Sequence, residues 1–138
     1  MITSGLEDYL ELIYNAILQN KKIKAVDIAN EFKISRSSVS EALIRLADID
    51  LIIYEGRKGI TITPFGIEEA QKIIKKHKTL STFFNEILGI DKELASKNAC
   101  KIEHYIDEIL IEKIQKFTSF CKEKNIDKTF INKENKND

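Results

Sequence analysis

The clearest hydrophobic pattern lies between residues 35 and 48, where apolar side chains recur at helical spacing behind a residue that suits a helix start. The apolar side of this predicted helix carries Val39, Ala42, Leu43 and Leu46. Ser35 can accept a hydrogen bond from an otherwise unpaired backbone N–H, and Ile34 stands where a hydrophobic staple is formed. The opposite side is short and polar. The pattern therefore predicts a helix with a buried back and a hydrogen-bonding front.

The segments on either side of this helix predict a DNA-reading unit. Upstream, residues 26–32 fit a short helix that ends in a tight turn at Lys33 and Ile34. Downstream, residues 51–54 and 60–63 alternate as β-strands, and residues 55–59 form a hairpin tip with two glycines and two cations. Helix, turn, helix and a two-stranded wing place the second helix in the major groove. A small α+β packing module with a coincidental pattern is the alternative.

The rest of the chain predicts helices. Residues 6–18 form a first amphipathic helix, and a long helix runs from Pro64 to the glycine at position 89. A further helix is predicted from Asp91 through Ile109, a last one over residues 110–123, and a polar tail over residues 124–138. The fold class is therefore mainly α with a small β-wing. We expect a winged helix-turn-helix over residues 1–63, a connecting helix over 64–90, and a helical domain with a polar tail over 91–138.

Composition narrows the class of protein without settling it. The 138 residues lack the apolar run of about 20 residues that spans a bilayer, and the N-terminus does not read as a signal peptide. We expect a cytoplasmic protein with two free cysteines. Lys+Arg 22 against Asp+Glu 22 leaves no net charge, so non-specific DNA affinity should be weak. DNA binding that depends on a second factor is one explanation.

Several metal-binding residue types occur on the predicted helices. Cys100, Glu103 and His104 are spaced i, i+3 and i+4, which would direct a thiol, a carboxylate and an imidazole to one side of a helix. His77 lies in the apolar stripe of the long helix, and Asp8 and Glu11 share a side of the first helix. Each has an ordinary explanation. A buried cysteine beside a surface pair, a core histidine and a solvated acidic edge would account for the same residues.

Taken together and in order, these segments resemble the DtxR/MntR family of metal-dependent bacterial repressors. The resemblance is carried by residues 6–11, the helix-turn-helix through Ser37, Ser38 and Val39, residues 51–54, residues 63–66, Lys76-His77 and Glu103-His104. It implies a homodimer that binds double-stranded operator DNA. The DNA contacts that we expect are Arg36, Ser37, Ser38, Ser40, Arg57 and Lys58. The chain ends where longer family members continue into an SH3-like domain, so we expect that domain to be absent.

The resemblance also implies a set of metal ligands, namely Asp8, Glu11, His77, Cys100, Glu103 and His104. Cys100 matches the iron-responsive branch, whereas Asp8 and Glu11 match the manganese-responsive branch. The predicted site is therefore a hybrid, with Fe²⁺ or Mn²⁺ as the expected metal and Co²⁺ or Zn²⁺ as further candidates. The like charges of the three carboxylates would oppose one another without metal. A bound cation would then favour the same conformer as DNA does.

Two other functions are compatible with the pattern. A winged-helix repressor that senses an organic ligand, or that needs no effector, would bind DNA regardless of chelator. A metallo-hydrolase with Glu103 or Glu11 as general base would leave the DNA-binding half unexplained. We therefore expect that the protein is not an enzyme.

Overall fold

The computed structural model describes residues 4–137, and the chain divides into two compact units over residues 1–73 and 74–138. The first unit contains three helices, α1 (Ser4–Leu18), α2 (Ala25–Phe32) and α3 (Arg36–Asp48). Two strands follow, β1 (Ile52–Tyr54) and β2 (Ile60–Ile62). The boundary between the units falls within α4 (Pro64–Thr82). Mainly helical structure with a small β-wing is the predicted fold class, and it is confirmed.

The helix-turn-helix forms for the local reasons that the sequence suggested. Lys33 ends α2 in the left-handed conformation, with φ 55° and ψ 46°, and this reverses the chain before α3. Ser35 caps α3, because its hydroxyl accepts a hydrogen bond of 3.2 Å from the backbone N–H of Ser38. Residues at helical spacing are then buried on the back of α3, namely Val39, Ala42, Leu43 and Leu46.

The wing (residues 52–62) is an antiparallel hairpin in which Ile52 pairs with Ile62 and Tyr54 with Ile60. Ile52 and Ile60 are buried, whereas Ile53 points to solvent, so the hairpin has one apolar face. Its tip is a 3₁₀ turn over Gly56–Lys58 that ends at Gly59 with φ 102°. Because other residues rarely adopt that backbone conformation, a glycine suits the end of the turn.

Thr63 joins the wing to α4 through several hydrogen bonds. Its hydroxyl lies 2.6 Å from the carbonyl of Asp50 and 3.0 Å from that of Leu51, and it accepts the backbone N–H of Gly66 at 2.9 Å. Thr63 therefore caps the N-terminus of α4, which begins at Pro64. Gly66 then lies so close to the backbone of Leu51 that a Cβ would collide with the Leu51 carbonyl oxygen.

The second unit contains the C-terminal part of α4 and three further helices. A π-helical turn over Phe83–Ile87 continues α4, and Gly89 follows with φ 74°. The helices are α5 (Lys92–Ile102), α6 (Glu108–Glu123) and α7 (Ile126–Asn137). Leu80, Ala99 and Ile111 form a buried cluster, onto which Phe84, Ile106 and Ile114 pack. One residue from each of α4, α5 and α6 thus supplies the centre of this core.

One expectation for the second unit was wrong. The helix from Asp91 does not reach Ile109, because α5 ends at Ile102 and Asp107 adopts an extended conformation before α6. The predicted polar tail forms the helix α7. Its Ile131 packs at Gly89, where a Cβ added to the glycine would come within 3.2 Å of the Ile131 Cγ1. Ile111 and Cys121 of α6 are buried in the unit.

Within residues 4–137 no helix combines the length and the apolar character that crossing a membrane requires. Neither the exposed Cys100 nor the buried Cys121 forms a disulfide.

The close approach at Gly66 generates a test of the first unit. We predict that Gly66→Ala lowers the free energy of unfolding by about 1–3 kcal/mol, because the added methyl group must displace the Leu51 backbone or the Thr63 cap. Gly5→Ala in α1 is the matched control, since nothing lies within 4 Å of its Cβ position. It should be neutral or stabilising by up to about 1 kcal/mol. Chemical denaturation followed by circular dichroism measures both, and equal stabilities would contradict the packing described here.

Candidate metal centre and DNA-reading surface

His77 is the residue around which the candidate metal centre is arranged. It lies on α4 with about a quarter of its side chain exposed (24%). Its Nδ1 is 2.7 Å from Oε2 of Glu103, and its Nε2 is 3.2 Å from the hydroxyl of Ser96 on α5. Both ring nitrogens therefore have a polar partner, and the plane of the ring is fixed between α4 and α5.

The Cys100 thiol lies beside Nδ1 of His77, the nitrogen that Glu103 also contacts. It lies one turn of α5 beyond Ser96, and its Sγ is 3.6 Å from Nδ1 of His77. One donor atom from each of His77, Cys100 and Glu103 lies within 4.8 Å of the other two. The three side chains differ in exposure, with Cys100 exposed and Glu103 buried. The site therefore opens to solvent on the side of the thiol.

Glu103 is the buried member of this group. Its side chain is 1% exposed, and His104 places Nε2 at 3.6 Å from its Oε1. The residue spacing predicted that Glu103 and His104 lie inside a helix. They lie instead in the turn where α5 ends. Lys76 helps to hold this turn, because its ammonium group donates to the carbonyl of Ile106 at 2.8 Å. Burying a carboxylate costs free energy unless polar or charged groups contact it. The imidazole groups of His77 and His104 lie on the two sides of the Glu103 carboxylate.

These donors fit a divalent transition metal. Imidazole nitrogen, thiolate sulfur and carboxylate oxygen are the ligand types that such ions take from proteins, and their mixture suits Fe²⁺, Co²⁺ and Zn²⁺. The donor atoms are near enough to one another to share one ion after small side-chain movements. Metal coordination would also let the buried carboxylate keep its charge.

Four of the six predicted ligands are thus brought together in the second unit, namely His77, Cys100, Glu103 and His104. The other two, Asp8 and Glu11, belong to the first unit. They lie three residues apart on α1, with Asp8 exposed and Glu11 half-buried. Their part in metal binding stays a prediction.

The predicted DNA-reading side chains are displayed on α3 and at the tip of the wing. Arg36, Ser37 and Ser38 are exposed on the first turn of α3, and Ser40 is half-buried. Arg57 and Lys58 are exposed in the 3₁₀ turn of the wing. The N-terminus of α3 therefore exposes a guanidinium group and hydroxyl groups, which are side-chain types that contact DNA bases. The wing that follows α3 in the chain exposes two cations at its tip.

Sequence reasoning missed two features of these sites. The Ser38 hydroxyl lies 2.9 Å from that of Ser35, so it takes part in the cap of α3 as well as facing solvent. Ser96 was not singled out, although it contacts His77. Its position four residues before Cys100 is the one signal that could have drawn attention to it, because such residues share a helix face.

A winged helix-turn-helix in one chain with a helical unit that carries these donors defines a metal-dependent DNA-binding regulator. Residues 1–60 match the model of the iron dependent repressor N-terminal DNA binding domain. Residues 63–129 match that of the iron dependent repressor metal binding and dimerisation domain. The chain belongs to the iron dependent repressor family, whose members are metal-dependent transcriptional repressors, and this confirms the resemblance noted from the sequence.

Relatives with similar sequences agree with this assignment. The chain is 40% identical over 124 residues to an uncharacterized HTH-type transcriptional regulator of Methanocaldococcus jannaschii, covering 89% of this chain and 99% of the relative. It is 30% identical over 120 residues to the HTH-type transcriptional regulator MntR of Listeria welshimeri, covering 87% and 84% respectively.

A solved structure shows the same fold. The manganese regulator SloR superposes with a TM-score of 0.73 at 27% identity, over 83% of this chain and 54% of that one. The chain thus spans about half the length of that regulator.

The proximity of Cys100 to His77 generates a spectroscopic prediction. In an anaerobic Co²⁺ titration we expect a thiolate-to-cobalt charge-transfer band that is lost in Cys100→Ser, because only a coordinated thiolate produces it. Cys121→Ala is the matched control, since Cys121 is buried in the helical core and should leave the band unchanged. A band that survives in Cys100→Ser would exclude Cys100 as a ligand.

Proposed function

We propose that this protein represses transcription by binding operator DNA as a homodimer when Fe²⁺ or Mn²⁺ is bound at the centre around His77. The observation that carries the proposal is the close approach of the His77, Cys100 and Glu103 donor atoms, all within 4.8 Å of one another. The proposal assigns DNA binding to residues 1–63, a connecting helix to residues 64–90, and metal binding and dimerisation to residues 91–138. We place the protein in the cytoplasm, where a transcriptional regulator acts.

The proposed ligands are His77, Cys100, Glu103 and His104 from the second unit, with Asp8 and Glu11 from the first. Glu103 holds the central position, because one of its oxygens faces His77 and the other faces His104. A bound divalent cation would supply the positive charge that offsets the buried carboxylate. His77 and Glu103 would hold the ion against the helices, whereas Cys100 would close the side that is open to solvent.

The choice of metal follows from the mixture of donors. A thiolate favours Fe²⁺, Co²⁺ or Zn²⁺, whereas the carboxylates of Asp8, Glu11 and Glu103 favour the harder Mn²⁺. The solved relative SloR is described as a manganese regulator, while both family models are described as iron dependent. Since affinity rises from Mn²⁺ to Cu²⁺ along the first row, the supply of each metal in the cell must contribute to the choice.

A homodimer is supported by apolar residues that the second unit leaves at its surface. Leu94 on α5 and Ile109 and Leu110 on α6 are exposed by 47%, 58% and 51%. A second copy of the chain could cover such exposed apolar side chains. The matching family model is itself described as a dimerisation domain, and two copies of α3 would read two half-sites of an operator.

The ligand assignment generates a prediction about DNA binding. His77→Ala and Glu103→Gln should each lower metal-dependent DNA affinity by about 100-fold or more. Even residues that only support a ligand change metal affinity by about 10–100-fold, so loss of a ligand should have a larger effect. The measurement is a mobility-shift titration with Mn²⁺, Fe²⁺, Co²⁺ or Zn²⁺ under anaerobic conditions, on a duplex selected from a random pool.

The control for this experiment is Glu112→Gln. Glu112 is an exposed carboxylate on α6 in the same unit, so the variant matches the change of charge without touching the site. Circular dichroism of all variants checks the fold. If both site variants kept the metal response and chelator sensitivity of the wild type, the ligand assignment would be wrong. DNA binding by the wild type that ignores chelator would instead favour a repressor without a metal effector.

On the DNA side, Arg57→Ala should weaken binding to all sequences alike and reduce the slope of log K against log salt by about one, because the wing would lose one phosphate contact. Lys128→Ala is the control, since this exposed cation lies on α7 and the slope should stay that of the wild type. A changed sequence preference in Arg57→Ala would show that the wing reads bases.

A further inference from the structure

Ser96 contacts His77 on the side of the ring that faces away from the proposed ligands. Its hydroxyl is 3.2 Å from Nε2, whereas Glu103 and Cys100 both approach Nδ1, at 2.7 and 3.6 Å. Ser96 and Cys100 are four residues apart on α5, so they lie on the same face of the helix. That face therefore places one partner beside each ring nitrogen of His77. Nδ1 of His77 therefore faces the proposed ligands Glu103 and Cys100, whereas Nε2 faces Ser96.

This division determines which nitrogen can bind a metal. A neutral imidazole carries one hydrogen, and the nitrogen without it offers the lone pair that coordinates. Glu103 and Cys100 approach Nδ1, so in a ring that coordinates a metal beside them the hydrogen must be on Nε2. An Nε2–H that lies beside another helix needs an acceptor, and the Ser96 hydroxyl oxygen stands in that position.

We propose that Ser96 is a positioning residue of the metal centre, which accepts Nε2–H of His77 and so directs Nδ1 at the metal. The inference rests on the proposed metal site and goes beyond it, since Ser96 is not among the proposed ligands. A serine suits the task because its hydroxyl both accepts and donates. It can accept from Nε2–H when Nδ1 coordinates, and donate to Nε2 when Nδ1–H points to Glu103 instead.

The surroundings of Ser96 set the size of the expected effect. Ser96 is half-buried and borders a cleft that opens to solvent, whose other lining residues are Ser81, Thr82, Asn85, Glu86 and Lys92. Water can enter that cleft and partly replace a missing hydroxyl. Loss of a hydrogen-bond partner behind a metal-binding histidine costs about 10–100-fold in affinity, and we expect the lower end of that range here.

The first test is an anaerobic optical titration with Co²⁺ of the full chain. Ser96→Ala should bind Co²⁺ about tenfold more weakly than the wild type. Ser96→Thr, which keeps the hydroxyl, should restore most of the affinity. Ser119→Ala is the matched control, because Ser119 is an exposed serine on α6, and its affinity should equal that of the wild type. Equal Co²⁺ affinity in Ser96→Ala and the wild type would overturn the proposal.

The second test identifies the coordinating nitrogen directly. The chain has two histidines, so the ring ¹⁵N signals of the Zn²⁺-bound protein can be assigned by comparison with His77→Ala. In the wild type we expect His77 to carry its hydrogen on Nε2, and in Ser96→Ala that hydrogen should exchange faster with water. Coordination of His77 through Nε2 in the wild type would contradict the inference while leaving His77 a ligand. A wild-type protein in which neither metal perturbs His77 would refute the proposed function as well.

Discussion

The second unit depends on the contact between the buried Glu103 carboxylate and the ring of His77. Transferring a carboxylate from water to an interior costs several kcal/mol unless charges or hydrogen bonds compensate, and Glu103 has a histidine on each side. The contact links the end of α5 to the middle of α4. Ser96 holds the other nitrogen of the same ring, and Lys76 fixes the turn that carries Glu103. A metal ion bound here would be held by the Glu103 carboxylate, which the fold already buries away from water.

Local chemistry made the first unit predictable. Ser35 and the turn at Lys33 each act within a few residues of themselves, so their roles can be inferred without knowing the tertiary structure. The two strands of the wing were predictable for the same reason, because the alternation of side chains along a strand is a local pattern. His77 was noticed because it lies in an apolar stripe, and Cys100, Glu103 and His104 because of their helical spacing. The full set of six candidate ligands came from the resemblance to a known family. Four of them meet in the second unit.

The features that sequence reasoning missed depend on contacts between distant residues. Helix α5 ends at Ile102 although apolar spacing continues to Ile109, since the turn is held by Lys76 on α4 and by burial of Glu103. The segment that forms helix α7 was predicted only as a polar tail because few of its residues are apolar, and the packing of its Ile131 against Gly89 joins residues about 40 positions apart. Ser96 carries no sequence signal of its own, since its importance comes from the ring that it contacts.

We propose that metal binding and DNA binding are coupled in this chain. The coupling is measured by the Co²⁺ dissociation constant of the wild-type protein, determined under anaerobic conditions with and without a saturating duplex selected for binding. We predict that DNA tightens Co²⁺ binding by the same factor by which Co²⁺ tightens DNA binding, because coupling between two sites is reciprocal. That factor should be about 5–150-fold, which is the usual range for allosteric coupling. A Co²⁺ affinity that is the same with and without DNA would show that the metal centre does not control DNA binding.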